Sequence, residues 1–192
     1  RTFTEGTSVQ LKAHKYLMPK NESAMQLVDW TLSFKESAPV KITRTYTMEG
    51  NPKSWTALGD SMLNATMATG VYKTTFTLPK KQPNTAYLLD LGDVRETAHV
   101  LVNGTDAGML FAVPFRLDIT DYLVDGKNIL DISVANLPAN RIAQLDRDGV
   151  EWRKFKEINV VDLNYKNTLY DKWEPVPSGL NGPVRIIPCK VE

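Results

Sequence analysis

The chain has a single cysteine, Cys189, in 192 residues. No internal disulfide can form, and a zinc site built from cysteine pairs is excluded. Histidine is nearly as scarce, with only His14 and His99. No G-x-S-x-G elbow, H-E-x-x-H pair, phosphate loop or dinucleotide glycine pattern appears, so the common catalytic signatures are absent. Neither charge sign predominates: 23 Lys and Arg face 22 Asp and Glu, for a net charge of +1. No basic block is present, which argues against a nucleic-acid partner. No apolar run approaches the length of a membrane-spanning helix. An initiator Met and a signal segment are missing as well. A start at Arg1 predicts a processed product or an excised piece, which lacks the part that does chemistry.

What is present is strand. LVDWTLSF (27–34), VKITRTYTM (40–48), VYKTTFTL (71–78), AYLLDLG (86–92), AHVLVNG (98–104), NILDISVANL (128–137) and VRIIPCKV (184–191) are short, rich in β-branched and aromatic residues, and separated by turn residues. That pattern predicts an all-β, antiparallel sandwich or barrel. Asn103-Gly104 suits a hairpin tip and Asp125-Gly126 a tight turn, because these residues tolerate positive φ. Gly108 reads as a point of close backbone approach. Only Thr56–Thr69 and Asp118–Leu123 have room for short helical turns. Residues 1–26 read as an N-terminal extension or first edge strand, and 27–192 as the sandwich. The polar run SVANLPANRIAQLDRDG (133–149) shows no helical apolar stripe and reads as a long strand-end loop, part of an irregular stretch over 140–180.

Four tryptophans carry the binding question. Trp30 lies in a strand and reads as core. Trp55, Trp152 and Trp173 offer flat apolar faces suited to the C–H faces of sugars, or else plug the ends of the sandwich. Trp152 and Trp173 share the irregular stretch with Asn140, Arg141, Asp146 and Arg153, a mixture that suits a hydroxyl-rich ligand. Arg141 is a candidate brace, since its fork can satisfy several carbonyls. Asp146 and Asp148 are close in sequence; they read as solvated loop charges or as a calcium-type oxygen site. A glycosidase would need two carboxylates across one bond, with Asp146, Asp148, Glu151, Glu157 and Asp162 as the available acids. His99, inside a strand, reads as a structural or surface residue.

Three runs carry a resemblance: SWTALGDSMLNATMATGVYKTTFTLP, AYLLDLGDVRETAHVLVNGTDAG and PFRLDITDYLVDGKNILDISVANLPANRI, closed by SGLNGPVRIIP. Together they resemble the galactose-binding-like β-sandwich of family 2 glycoside hydrolases. Val134-Ala135-Asn136-Leu137, then Asn140-Arg141-Ile142, is most similar to the C-terminal sandwich of family 106 α-L-rhamnosidases. The resemblance implies a jelly-roll fold and an accessory, carbohydrate-binding role in polysaccharide degradation. It further implies a catalytic domain elsewhere in a larger hydrolase, and a periplasmic or extracellular location. No catalytic residue carries over. The expected ligand contacts are Trp55, Asn140, Arg141, Asp146, Trp152 and Trp173. The rival expectation is a purely structural or interaction domain without sugar affinity. A stand-alone hydrolase using Asp146, Glu151 or Glu157 is the third.

Overall fold

A computed structural model describes residues 16–17, 24–154, 164, 166 and 168–191, with the backbone alone described at 16 and 17. In chain order the strands are β1 (Tyr16–Leu17), β2 (Met25–Leu27), β3 (Trp30–Ala38), β4 (Tyr46–Met48), β5 (Met67–Leu78), β6 (Thr85–Asp90), β7 (Val94–Arg95), β8 (Thr97–Val102), β9 (Thr105–Leu110), β10 (Arg116–Asp118) and β11 (Gly126–Ala135). A helix, α1 (Ala139–Arg147), precedes β12 (Gly179–Leu180) and β13 (Val184–Val191). Three-residue or five-residue 3₁₀ turns occupy Trp55–Ala57, Ser61–Ala65 and Thr120–Tyr122; the last two lie within the segments that had room for them, and the first begins one residue earlier, at Trp55.

The strands form two antiparallel layers. One sheet runs β4-β3-β5-β11-β8-β9; the other runs β1-β13-β6-β10, with β2 also paired to β13. A small pair, β12–β7, closes one end. The all-β sandwich expected from the sequence is therefore the fold. Its core follows the two-residue strand period. On β11 Asn128, Leu130, Ile132 and Val134 are buried; on β8 Ala98, Val100 and Val102; opposite them lie Leu89, Val184 and Ile186. Each fully buried Leu or Ile contributes roughly 1.5–3 kcal/mol relative to exposure. Trp30 is core, as expected, and so is Phe115. β1 and β2 both pair with β13, so strand pairing reaches back into the segment before residue 27.

Several local expectations change. Within 40–48 only Tyr46–Met48 is strand. Upstream, Ser37 Oγ donates to Val40 O and accepts from Ile42 N, both at 2.8 Å; a side-chain hydroxyl replaces the ladder there. Asn103 and Gly104 have φ of 53° and 79° and do join β8 to β9. Gly108 is needed for another reason than close approach. Its φ is +136°, and a Cβ there would meet only the Leu117 side chain, at 3.6 Å. It sits beside the register shift between Val100 and Leu101, a bulge that glycine permits.

The largest correction concerns 139–147, which is a helix and not a loop. Its inward residues are Asn140 and Ala143, one polar and one small, so no apolar stripe was visible. Pro138 occupies the N-cap, and its carbonyl accepts from Ile142 N at 2.9 Å.

Candidate functional site

β11 ends at Ala135 near one pole of the sandwich, and two structures are built there. The first is a buried polar knot. Asn136 donates from Nδ2 to Thr66 O and Ser178 Oγ, both at 3.0 Å, and accepts from Ala68 N at 2.9 Å. Asn140 clamps Val176 in both directions, donating to its carbonyl at 2.9 Å and accepting from its amide at 2.8 Å. Ser54 Oγ donates to Ser178 O at 2.9 Å and accepts from Ser178 N at 2.8 Å. Asn136 ties the start of β5 to Ser178, while Asn140 and Ser54 tie α1 and the 55–57 turn to residues 176–178. Asn140 is 4% exposed, so this predicted ligand contact is a brace.

Trp55 is a correction of the same kind. It is 0% exposed and lies edge-on to Phe34 with ring centres 5.5 Å apart. Its backbone N–H donates to Ser178 O, while its indole N–H is the one buried side-chain polar atom without a hydrogen-bond partner among the described residues. The other edge of the ring is tightly packed: a Cβ on Gly179, whose φ is +92°, would sit 2.6 Å from Trp55 Cε3 and against Tyr72 Oη. A fully buried indole offers no face to a sugar.

The second structure is a half-exposed cluster organised by Asp146, whose side chain is 2% exposed. Oδ1 accepts from Trp152 Nε1 at 2.7 Å and Arg153 Nη1 at 3.2 Å; Oδ2 accepts from Tyr170 N at 2.8 Å and Arg153 Nη2 at 3.3 Å. Burial pushes the carboxyl up, but the Tyr170, Trp152 and Arg153 donors outweigh it and hold Asp146 below the usual carboxylate range. The guanidinium of Arg153 stacks 4.3 Å from the centre of the half-buried Trp152 ring. Tyr170 packs on Trp173 with centres 4.7 Å apart, and Trp173 remains 53% exposed.

The predicted site residues thus divide. Asp146 and Trp152 are bonded, and Trp173 adjoins them through Tyr170; Trp55 and Asn140 belong to the knot. Arg141 is half-buried on α1, and no hydrogen bond of its guanidinium is found among the described residues. The bracing expected of it falls to Arg147, which donates to Asp171 O and Trp173 O, and to Arg153. The calcium candidate does not fit. Asp146 faces N–H donors, Asp148 is exposed and accepts from Gln144 Nε2 at 2.8 Å, and no group of three potential ligands gathers among the described residues. Glu157, Asp162 and His14 lie outside the described residues. His99 sits on the surface of β8, 3.0 Å from Asp106 Oδ1.

A third feature was missed altogether. A cleft of about 360 Å³ lies between 93–96 and the β9–β10 loop, lined by Asp93, Arg95, Glu96, Phe111, Val113 and Phe115. Phe111 and Val113 are 77% and 82% exposed. Only an apolar residue beside Pro114, outside any predicted strand, hinted at it in the sequence.

Comparison with known proteins now bears on the whole. No family model matches the chain. A putative β-glucuronidase from Formosa agariphila is 32% identical over 152 residues, which is 70% of this chain and 13% of that protein. A rhamnosidase from Novosphingobium sp. PP1Y matches 95% of this chain with 16% of its own, at 23% identity and a TM-score of 0.66. A β-D-glucuronidase from Dictyoglomus thermophilum matches 90% of this chain with 29% of its own, at 19% identity and a TM-score of 0.58. The fold is the β-sandwich that these glycoside hydrolases carry. The chain thus spans a small fraction of the proteins it matches, and the resemblance read from the sequence holds for the fold. No described helix is long and apolar enough to cross a membrane.

Proposed function

We propose that this chain is a non-catalytic accessory domain of a larger glycoside hydrolase, and that the described residues of its lobe, 139–154 and 168–176, form a self-bonded wall rather than a proton-transfer site. One observation carries the reading. The buried carboxylate of the lobe, Asp146, is committed to three donor residues of its own chain. Among the described residues the only charged group that shifts it is the Arg153 cation. A glycosidase pair needs a second acid across roughly 5–10 Å, with one of the two available for protonation near neutral pH. A carboxyl held low by the Tyr170 amide, the Trp152 indole and the Arg153 guanidinium is a poor general acid.

Carbohydrate recognition belongs to this reading as its finer part. Trp173, half-exposed and backed by Tyr170, is the one tryptophan of the predicted set with more than half its surface open. The domain's partners are then a glycan and the catalytic domain of the same enzyme, in the periplasm or outside the cell. The rival reading, a structural sandwich with no sugar affinity, draws on the burial of Trp55 and the saturated knot. Incubating the chain with 4-nitrophenyl β-D-glucuronide and 4-nitrophenyl α-L-rhamnoside tests the main claim. No turnover above buffer is expected; turnover abolished by Asp146→Asn would overturn it.

A further inference from the structure

We propose that the cleft between Asp93–Glu96 and Phe111–Val113 is a binding site for neutral sugars, selective against uronic acids. The inference rests on the glycan-facing reading above and adds a location and a ligand class. Phe111 presents an exposed aromatic face at the rim of a concavity large enough for a small saccharide. Polar groups stand beside it in a fixed geometry. Arg95 is held by Asp93, Nε to Oδ1 at 2.7 Å and Nη2 to Oδ2 at 3.1 Å. Asp93 is steadied in turn by Asn181 Nδ2 at 3.1 Å. This arrangement leaves Arg95 Nη1 without a described acceptor and able to donate to a hydroxyl. The carboxylate of the exposed Glu96 likewise carries no described hydrogen bond and can accept one.

Charge sets the ligand class. Asp93 neutralises Arg95, and Glu96 leaves the cleft one charge negative. A hexose or deoxyhexose stacks its apolar face on Phe111 and meets one donor and one acceptor. A uronate brings a carboxylate toward Glu96, with the compensating guanidinium already paired. The selectivity therefore runs against the sugar acid named in two of the similar proteins.

Amide chemical-shift titration of the 192-residue chain tests this, using methyl α-L-rhamnoside, methyl β-D-galactoside and methyl β-D-glucuronide as probes. The neutral glycosides are expected to shift residues 93–96 and 111–115, with the glucuronide binding more weakly. Phe111→Ala, at a position open enough to leave the melting temperature unchanged, is expected to weaken neutral-sugar binding roughly tenfold or more. Trp173→Ala should leave these shifts in place, and Glu96→Gln should narrow the gap between glucuronide and neutral sugars. The proposal is overturned by the absence of any shift at the highest soluble sugar concentration, by shifts that persist in Phe111→Ala, or by shifts confined to 146–173. Tighter binding of the glucuronide overturns it too. Shifts that persist in Phe111→Ala, shifts confined to 146–173, or tighter glucuronide binding leave glycan recognition standing and sink only this cleft; the absence of any shift sinks glycan recognition as well, and the accessory-domain reading fails only on turnover by the chain.

Discussion

Two regions near one pole of this sandwich use similar residues to opposite ends. In the lobe of residues 139–154 and 168–176, Asn140, Asp146, Arg147 and Arg153 turn their donors and acceptors onto the chain itself. In the cleft beside 93–96, one Arg–Asp pair closes on itself, while Glu96 and Phe111 face solvent. Polar crowding in a sequence does not by itself mark a ligand site. A long excursion between strands leaves many backbone groups to satisfy, and side chains close at hand satisfy them. An exposed aromatic residue beside polar groups with spare bonding capacity is the better sign of a surface meant for something else.

The contrast can be broken most forcefully beneath the lobe. Gly179→Ala places a methyl against Trp55 and Tyr72 at a φ that disfavours any side chain. It should cost about 3–5 kcal/mol in urea denaturation, similar to Trp55→Ala. A well-tolerated Gly179→Ala would show that the knot is not the support it is described as. Asp146→Asn comes next, expected to destabilise by about 1–3 kcal/mol, because a neutral amide cannot accept all of the Tyr170, Trp152 and Arg153 donors. Asn140→Ala strands the amide of Val176 and leaves its carbonyl only the 3.4 Å bond from Ser178 Oγ; it should cost about 1–2 kcal/mol, with faster hydrogen exchange at Val176 as its local signature. Trp173→Ala, by contrast, should fall within about 1 kcal/mol of the parent, since half of the ring is already in water. A large loss there would move Trp173 from the surface into the structural set.

The strands and turns that define the sandwich were legible. The β-branched and aromatic runs at 71–78 and 128–137 and the Asn103-Gly104 tip reflect local rules. The helix α1 was not legible, because its inward face is Asn140 and Ala143 rather than a leucine stripe. Nor was the knot: Asn136 meets Thr66 and Ser178, residues 70 and 42 positions away, and no periodicity records such a pairing. Asp146 was visible as a residue of interest, but its role was not. Whether a carboxylate binds a ligand or its own backbone depends on Tyr170 arriving from 24 residues downstream. Phe111 went unnoticed for the converse reason: it lies in the apolar run Met109–Val113 before Pro114, and nothing in that run marks which residues are exposed.

The most direct test of the claim that the lobe braces itself is the pH dependence of unfolding in the parent and in Asp146→Asn. Asp146 has a folded-state pKa below its unfolded value, so its contribution is fully present above the unfolded carboxylate pKa of about 3.9 and is lost as pH falls through the lower, folded value. The parent should be the more stable protein at pH 7, by a margin that is constant down to about pH 5 and shrinks below about pH 4. Equal stability of the two proteins at pH 7, or a margin that grows in acid, would contradict the account.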